Sequence, residues 1–359
     1  MNIDDIYTFF GLNPSDWHCV SFGTGLINAT WVLRDAGGVT KYILQKINHR
    51  VFKRPEDIAY NLEVIGEHLA RLHPEYLFIQ PLRAPGGEVR PNGAPGGDSY
   101  YLSEEGDYYR LFPFVGGSKT LEVVTRPEQA YEAARSFARF SYLLRDLNPL
   151  DLRETLPHFH DLGLRYRQFE EAADAKGGWE VAFLKNHSYY VDTWNSLRSS
   201  GDFPLRVMHH DTKISNILFD PQDKALCVID LDTVMPGYFI SDVGDMMRTY
   251  LPPVSEEEED LSRIRVRPEY FKAIVTGYLH GMEGSLTVLE QDQFLFAGRF
   301  MIYMQALRFM TDYLTGDRYY GARYPEHNLV RARNQIRLLE SFNETLPALF
   351  ADMRLLLEG

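Results

Sequence analysis

The stretch "VMHHDTKISNILFD", residues 207–220, sets an imidazole, a carboxylate, an ammonium and a carboxamide between two apolar runs. Polar groups in that position need either hydrogen-bond partners or a chemical task. The spacing is His209-x-Asp211-x-Lys213-x-x-Asn216. The next apolar run, "CVIDLDT", carries Asp230 and Asp232, and the turn "DPQDK" lies between the two runs. Strand, turn and strand would set Asn216 and Asp230 facing each other across a hairpin. Two oxygen ligands on adjacent strands suit Mg²⁺, which takes few protein ligands and fills its octahedron with water and phosphate oxygens. Asp211 can accept a hydrogen bond from a substrate hydroxyl, and Lys213 can reach a transferring phosphoryl group. Base, metal and cation are the working parts of phosphoryl transfer. Any one of these residues alone could be a turn former or a cap. His209 reads as a structural histidine that braces the loop, and His210 has no catalytic role in this reading. Alternation returns Asp232 to the same side of its strand as Asp230, so geometry alone does not choose between them.

The elements that must position these groups fall into two regions. Residues 16–47 read as strand, turn, strand, with a glycine-bearing turn in "FGTGLIN" and a second apolar run in "GGVTKYILQKI". A helix follows over 54–73, where Ile58, Leu62, Ile65 and Leu69 recur at three- and four-residue spacing. A turn-rich stretch at 83–99 leads to the strand "YYRLFPFV", and "GGS" at 116–118 reads as a hinge. Beyond it helices dominate. Residues 125–144 open with a capping-box pattern, Thr125 to Glu128, and put Ala130, Ala134, Phe137 and Ala138 on one face. Strands return at 205–209, 216–220 and 225–231, and helices at 298–315 and 326–345. The acid run "SEEEED", 255–260, reads as a solvated helix start. The fold class is therefore α+β: a small β-rich N-terminal lobe, 1–115, and a larger, mainly helical C-terminal lobe, 116–359.

Composition narrows the function. The 359 residues are 45% hydrophobic, enough for a sizeable core. A net charge of −13 argues against a nucleic-acid partner. No apolar run is long enough to span a bilayer, the N-terminal "MNIDDIYTFF" does not read as a secretory signal, and no membrane partner is expected. Two cysteines, Cys19 and Cys227, fit a reducing, cytoplasmic setting.

The stretches "YILQ", "HFHD", "DTKISNILFD", "IDLDTVMPG", "DYLTGD" and "YPEHNLVRARNQI" run through nearly the whole chain. They resemble the aminoglycoside phosphotransferase and choline kinase group and, within it, the N-acetylhexosamine 1-kinases. The resemblance implies a protein-kinase-like two-lobed fold. It also implies ATP and Mg²⁺ as cofactors, and phosphorylation of a free sugar at its anomeric hydroxyl. Asp211 then matches the catalytic base, and Asn216 and Asp230 match the metal ligands. Asp242 and Asp245, in "SDVGDMMR", match acids that brace the catalytic loop. "RLFPFV" matches a hinge whose backbone, Phe112 to Phe114, would read adenine. Gly23 and Gly25 match a nucleotide-covering loop, with Asn28 where a third glycine might stand; a plain hairpin turn explains them as well. Gln45 stands where many kinases of this fold carry a phosphate-binding lysine, and Lys46 would point to the other face. Helix residue Glu63 is then expected to meet either Gln45 or a Lys46 redirected by a bulge.

Sugar acceptors are held by planar polar groups and aromatic faces, and "ALRFMTDYLTGDRYYGARYPEH" offers both. Arg308 and Asp312 share a helix face. Arg308 stands in an apolar stretch and calls for a carboxylate or ligand partner. Tyr319, Tyr320, Arg323 and Tyr324 follow the stop at Gly316; an ordinary turn with buried tyrosines is the alternative. "HFHD", His158 to Asp161, could be read as a metal cluster, but Asp161 suits an N-cap and no metal is expected there. Two rival functions stand beside the sugar 1-kinase. One is a phosphotransferase for an aminoglycoside, an amino alcohol or another sugar. The other is a nucleotide-binding regulatory protein.

Overall fold

A computed structural model of the protein describes residues 3–23, 27–86, 97–173 and 177–358. The chain divides into two compact units. One holds Met1–Lys119 with two returning segments, Leu150–Pro157 and Ile229–Val234; the other holds Thr120–Pro149, His158–Val228 and Met235–Gly359.

The first unit opens with helix α1 (Ile3–Phe9) and strands β1 (His18–Ser21), β2 (Ala29–Arg34) and β3 (Thr40–Ile47). Helix α2 (Pro55–Leu72) follows, then β4 (Tyr101–Leu102) and β5 (Tyr108–Pro113). The strands form an antiparallel sheet in the order β1-β2-β3-β5-β4. Its core joins Leu33, Leu44, Tyr109 and Leu111 of the sheet to Ile6, Tyr7 and Phe10 at the N-terminus. In α2 the expected stripe, Ile58, Leu62, Ile65 and Leu69, is buried. Strand β5 ends at Pro113, short of the expected Val115, although Phe114 still donates to the Lys41 carbonyl on β3 at 2.8 Å. One side chain of α2 ties down both returning segments. Asn61 donates to the carbonyls of Arg153 (2.8 Å) and Val234 (3.0 Å) and accepts from the Arg153 N–H (2.8 Å).

The second unit runs through α3 (Pro127–Leu143), α4 (Leu162–Ala173), α5 (Trp179–Asn186), α6 (Tyr189–Ser199), β6 (Arg206–Met208), β7 (Ile217–Phe219) and β8 (Ala225–Val228). It continues with β9 (Met235–Gly237), α7 (Phe239–Tyr250), α8 (Pro268–Met282), α9 (Val288–Asp292), α10 (Phe294–Leu314) and α11 (His327–Glu358). Strand β6 pairs with β9, and β7 with β8. Helix α10 starts earlier than its sequence pattern suggests and is buried along most of its length, as befits a helix with apolar residues on every face. Among the described residues no helix is long and apolar enough to cross a membrane. The fold is α+β, with its sheet in the N-terminal region and helices forming most of the larger unit.

Two local expectations are corrected. The cap of α3 is shifted by one residue. Gln129, not Glu128, reaches back, accepting from the N–H groups of Thr125 (2.9 Å) and Arg126 (3.2 Å). Pro127 is the first helical residue, so the box closes from Arg126. The acid run at 255–260 leads only into a single 3-10 turn, Leu261–Arg263, which Asp260 caps by accepting the Ser262 N–H at 3.0 Å, and it is not simply solvated. Its carboxylates are claimed by arginines: Glu256 by Arg248 (2.7 Å) and Arg331, Glu257 by Arg323 (3.0 Å), and Glu258 by Arg263 (2.6 Å).

Helices α3 and α8 pack closely because α8 presents glycine at the crossing. A Cβ at Gly277 would lie 2.4 Å from the Tyr131 carbonyl oxygen, and one at Gly281 would lie 2.5 Å from that of Arg135. Both obstacles are backbone, which cannot turn aside. Gly277→Ala is therefore expected to destabilise the protein by about 2 kcal/mol, through overpacking that outweighs the helix propensity gained. Urea denaturation would show this as a lower midpoint at unchanged slope; an unchanged or raised midpoint would refute it.

Candidate active site

Strand β6 delivers the polar loop, and α7 holds it in place. The Asp242 carboxylate accepts the backbone N–H groups of His209 (3.0 Å) and His210 (2.7 Å). Asp245 accepts that of Thr212 (2.9 Å), and the Thr212 hydroxyl donates to the Asp242 carbonyl (2.8 Å). His209 lies wholly buried, its ring set edge-on to Phe137, and its Nδ1 accepts the Asp211 N–H at 3.3 Å. His209, Asp242 and Asp245 thus occupy the bracing positions expected of them. His210 takes a left-handed backbone conformation, φ 65°. Its ring leaves no room for a side chain at Gly237, where a Cβ would lie 2.3 Å from Cε1.

The half-buried Asp211 carboxylate faces the Lys213 ammonium at 3.1 Å. Asn216 lies at the end of a single helical turn just before β7, and its Nδ2 donates to the Asp211 carbonyl at 2.8 Å. That bond fixes the amide and leaves its oxygen as the end able to meet a cation.

A second cluster in the same unit gathers around Arg308. Its guanidinium lies over the rings of Phe159 (5.2 Å), Tyr320 (5.4 Å) and Tyr319 (5.7 Å). It donates to Gln305 Oε1 (3.2 Å) and the Tyr319 hydroxyl (3.4 Å). Phe159 stacks on His160, whose Nδ1 is 3.3 Å from His210 Nδ1. Burial pushes both imidazoles down, His210 to about 4 and His160 well below its ordinary value. Both are neutral at pH 7, so one can donate to the other. This pair links the backbone beside Asp211 to the ring beneath Arg308. Asp161 caps α4 as expected, accepting the Leu164 N–H at 2.9 Å.

Several expected contacts resolve differently. Asp312 is not the partner of Arg308: its oxygens accept the N–H groups of Tyr319 (2.7 Å) and Tyr320 (2.8 Å), so it shapes the loop instead of meeting a ligand. Arg323 pairs with Glu257, and Tyr324 packs on His327. Neither belongs to the Arg308 cluster. In the first unit Lys46 pairs with Asp107 at 2.6 Å and Glu63 with Arg83 at 3.3 Å. Strand β3 keeps its register there, with no bulge at Lys46. Gln45 does not reach for Glu63; its Oε1 accepts Nε (3.1 Å) and Nη2 (2.9 Å) of Arg110, the residue directly across on β5. Arg110 continues to Asp232 at 2.5 Å, and Asn28 donates to the other Asp232 oxygen at 2.7 Å. Asp232 is therefore engaged, while Asp230 sits two residues earlier in the left-handed region, φ 59°, ψ 59°. Gly23 has φ +77°, as a turn requires, and Gly25 lies outside the described residues. Phe114 gives its N–H to the Lys41 carbonyl (2.8 Å), whereas Leu111 turns its carbonyl to Leu82 on the opposite edge (2.7 Å). By alternation the Pro113 carbonyl, and not the Phe112 or Phe114 N–H, faces that outer edge.

Sequence reasoning missed Arg110, Phe159, His160 and Gln305. Cross-strand register alone could have flagged Arg110, had the pairing of β3 and β5 been assigned residue by residue. Gln305 lies three residues before Arg308 on α10, so helical spacing could have flagged it. Phe159 meets Arg308, and His160 meets His210, only through tertiary packing.

The model of the phosphotransferase enzyme family (APH) matches residues 18–283 of this chain. Similar solved structures include a microcompartment-associated aminopropanol kinase, at 16% identity and TM-score 0.63, over 96% of this chain and 97% of the other. The GDP complex of an aminoglycoside 2'-phosphotransferase-IIIa aligns at 12% identity and TM-score 0.59, covering 92% and 96%. A choline/ethanolamine kinase family protein from Mesorhizobium loti aligns at 12% identity and TM-score 0.56 over the full length of both chains. At such identities the likeness is one of fold.

Burial raises the Asp242 carboxyl to about 7, against the opposing effect of the two backbone donors, with Asp245 and Asp211 pushing the same way as burial. The folded protein therefore keeps a proton that the unfolded chain gives up near pH 4. Stability from this group is present at low pH, falls as pH rises from about 4 to about 7, and levels off above, with a slope on the order of 1 kcal/mol per pH unit. Asp242→Asn should be less stable at pH 5, because an amide oxygen cannot serve both N–H groups as a carboxyl pair does, and should lack this slope. Urea titrations of both proteins from pH 5 to 8 test this; parallel profiles would refute it.

Proposed function

We propose that this chain, which belongs to the phosphotransferase enzyme family and is an ATP-dependent small-molecule phosphotransferase, transfers a phosphoryl group to the anomeric hydroxyl of a free neutral sugar, an N-acetylhexosamine. The observation that carries the acceptor class is Arg308 lying among Phe159, Tyr319 and Tyr320. The similar structures are described as aminopropanol, aminoglycoside and choline/ethanolamine kinases. Those acceptors are cations at neutral pH, and faces of aromatic rings are where a ligand cation binds. Here the rings already carry the protein's own guanidinium, and Arg165 lies close enough to be felt by it. A cationic alcohol would meet like charge. A neutral sugar can accept hydrogen bonds from Arg308 and lay its ring against a tyrosine. The anomeric position and the N-acetyl group rest on the resemblance carried by "YPEHNLVRARNQI".

Asp211 accepts the proton of the sugar hydroxyl as the phosphoryl group is transferred. Lys213, held beside it, offers its charge to the moving phosphoryl oxygens. Asn216 and Asp230 would hold Mg²⁺, which would neutralise charge on the phosphate oxygens of ATP. The amide oxygen of Asn216, left after its nitrogen is fixed, and the carboxylate of Asp230 are the kind of oxygen donors a hard cation takes. The Pro113 carbonyl at the outer edge of β5 would accept from the adenine amine, and Gly23 would lie beside the phosphates. Lys46, Glu63, Arg323 and Tyr324 drop out of the ligand set, since acids or arginines of their own regions hold them.

Two outcomes follow. Asp211→Asn should lower kcat by at least about 10²-fold while leaving the affinity for ATP near that of the wild type; full kcat would remove Asp211 from the chemistry. A methyl glycoside of N-acetylglucosamine or N-acetylgalactosamine should be inert, with discrimination on the order of 10⁴-fold, because the hydroxyl that reacts is blocked. Arg308→Ala should raise the KM for the free sugar far more than the KM for ATP. A ³¹P-monitored screen of free sugars and amino alcohols with MgATP reads all of this, and faster turnover of an amino alcohol than of any sugar would overturn the acceptor assignment.

A further inference from the structure

Arg110 and Asp232 form an ion pair, at 3% and 2% exposure, that the chemistry above does not use. A buried ion pair is a weak source of stability, since desolvation offsets most of its attraction. Its surroundings suggest another use. Asp232, in the segment 229–234, is anchored at three points. One side-chain oxygen meets Arg110 at 2.5 Å, the other receives Asn28 Nδ2 at 2.7 Å, and the backbone carbonyl receives the Thr155 hydroxyl at 2.6 Å. Arg110 is itself held by Gln45 through two N–H groups and lies over the Phe112 ring at 5.0 Å. Two residues further on, Asn61 holds the Val234 carbonyl at 3.0 Å. Just before these anchors stands Asp230, at φ 59° and ψ 59°. A non-glycine residue keeps that conformation only where its surroundings over-determine it.

We propose that Arg110 is a positioning residue that acts through Asp232 to hold Asp230 in its left-handed conformation and so presets the Asp230 carboxylate to receive Mg²⁺. The proposal rests on Asp230 being a metal ligand, as argued above. Without the pair, the segment relaxes toward ordinary backbone angles and the carboxylate turns away. Metal affinity falls although no ligand has been removed.

Nucleotide binding tests this without reference to the acceptor. ADP affinity is measured by calorimetry with Mg²⁺ and with EDTA. The wild type should gain at least about tenfold from Mg²⁺, and Asp230→Ala should lose that gain. Arg110→Met/Asp232→Leu replaces the pair with apolar side chains of similar size and should fold, because such exchanges are tolerated. It should nevertheless lose most of the Mg²⁺ gain while binding ADP in EDTA as the wild type does. Thr155→Val, a near-isosteric change that removes the hydroxyl bonded to the Asp232 carbonyl, should lose part of it and serves if the double variant does not fold. A double variant, or Thr155→Val alone, that melts like the wild type and keeps the whole Mg²⁺ gain overturns the positioning role. No loss in Asp230→Ala overturns instead the metal assignment, and the inference falls with it.

Discussion

The candidate site depends first on a carboxylate buried in α7. Asp242 has no exposed surface to speak of, yet it accepts two consecutive backbone N–H groups of the catalytic loop. Two adjacent N–H groups can converge on one carboxylate only if the backbone between them turns sharply, and His210 does so at φ 65°. The turn throws Asp211 outward with its carboxylate half exposed while its neighbours stay buried. Removing the acid would leave buried donors without acceptors, which costs more than any single packing contact nearby. The neutral histidine pair, the lysine beside Asp211 and the fixed amide of Asn216 are all consequences of that one placement.

The second acid of α7 carries the constraint outward. Asp245 pairs with Arg248 at 2.9 Å, Arg248 with Glu256 at 2.7 Å, and Glu256 with Arg331. Arg331 then lies over Phe309 at 3.8 Å and Tyr320 at 5.1 Å. Tyr320 is one of the rings around Arg308. An alternating row of charges therefore runs from the loop that holds the base to the cluster assigned to the acceptor. Burial raises the Asp245 carboxyl, whereas the two flanking arginines hold Glu256 below its ordinary range in spite of burial. The difference follows from the neighbours, since the Asp211 carboxylate works against Arg248 at Asp245, whereas two arginines bond Glu256 directly.

What could be read in the sequence sorts by the range of the interaction that decides it. The bracing role of His209 was legible in its loop, and those of Asp242 and Asp245 only through the family resemblance carried by the surrounding motifs. The apolar stripe of α2 was legible too, since its period is set locally. The partners of Arg308 and Asp312 were not, although both residues do share a helix face. Asp312 found backbone donors in the loop after the helix, and two N–H groups on a buried carboxylate outcompete an arginine that aromatic rings already hold. The acid run at 255–260 was read only in part for a related reason. The sequence shows five consecutive acids, the last of which does cap a short turn, but only the fold shows that arginines from separate stretches meet the others. The β3 glutamine was visible as an oddity, yet its partner lay sixty-five residues away on a neighbouring strand.

Both acids assigned to the chemistry are presented by the same device. Asp211 follows a left-handed residue, His210, and Asp230 is one itself. In each case a second, buried acid secures the segment: Asp242 through backbone N–H groups, and Asp232 through Arg110 and Asn28. The division separates two demands that one carboxylate cannot meet. An acid proposed to take up a proton or a metal is served by staying near solvent. An acid that must hold backbone in a strained shape has to commit its lone pairs and lose its water. Placing the two roles on neighbouring but distinct residues lets the holding acid be buried at its full desolvation cost while the other stays close to solvent. In the proposed mechanism a substitution at Asp232 or Asp242 therefore acts on geometry and stability together, whereas one at Asp211 or Asp230 acts first on chemistry.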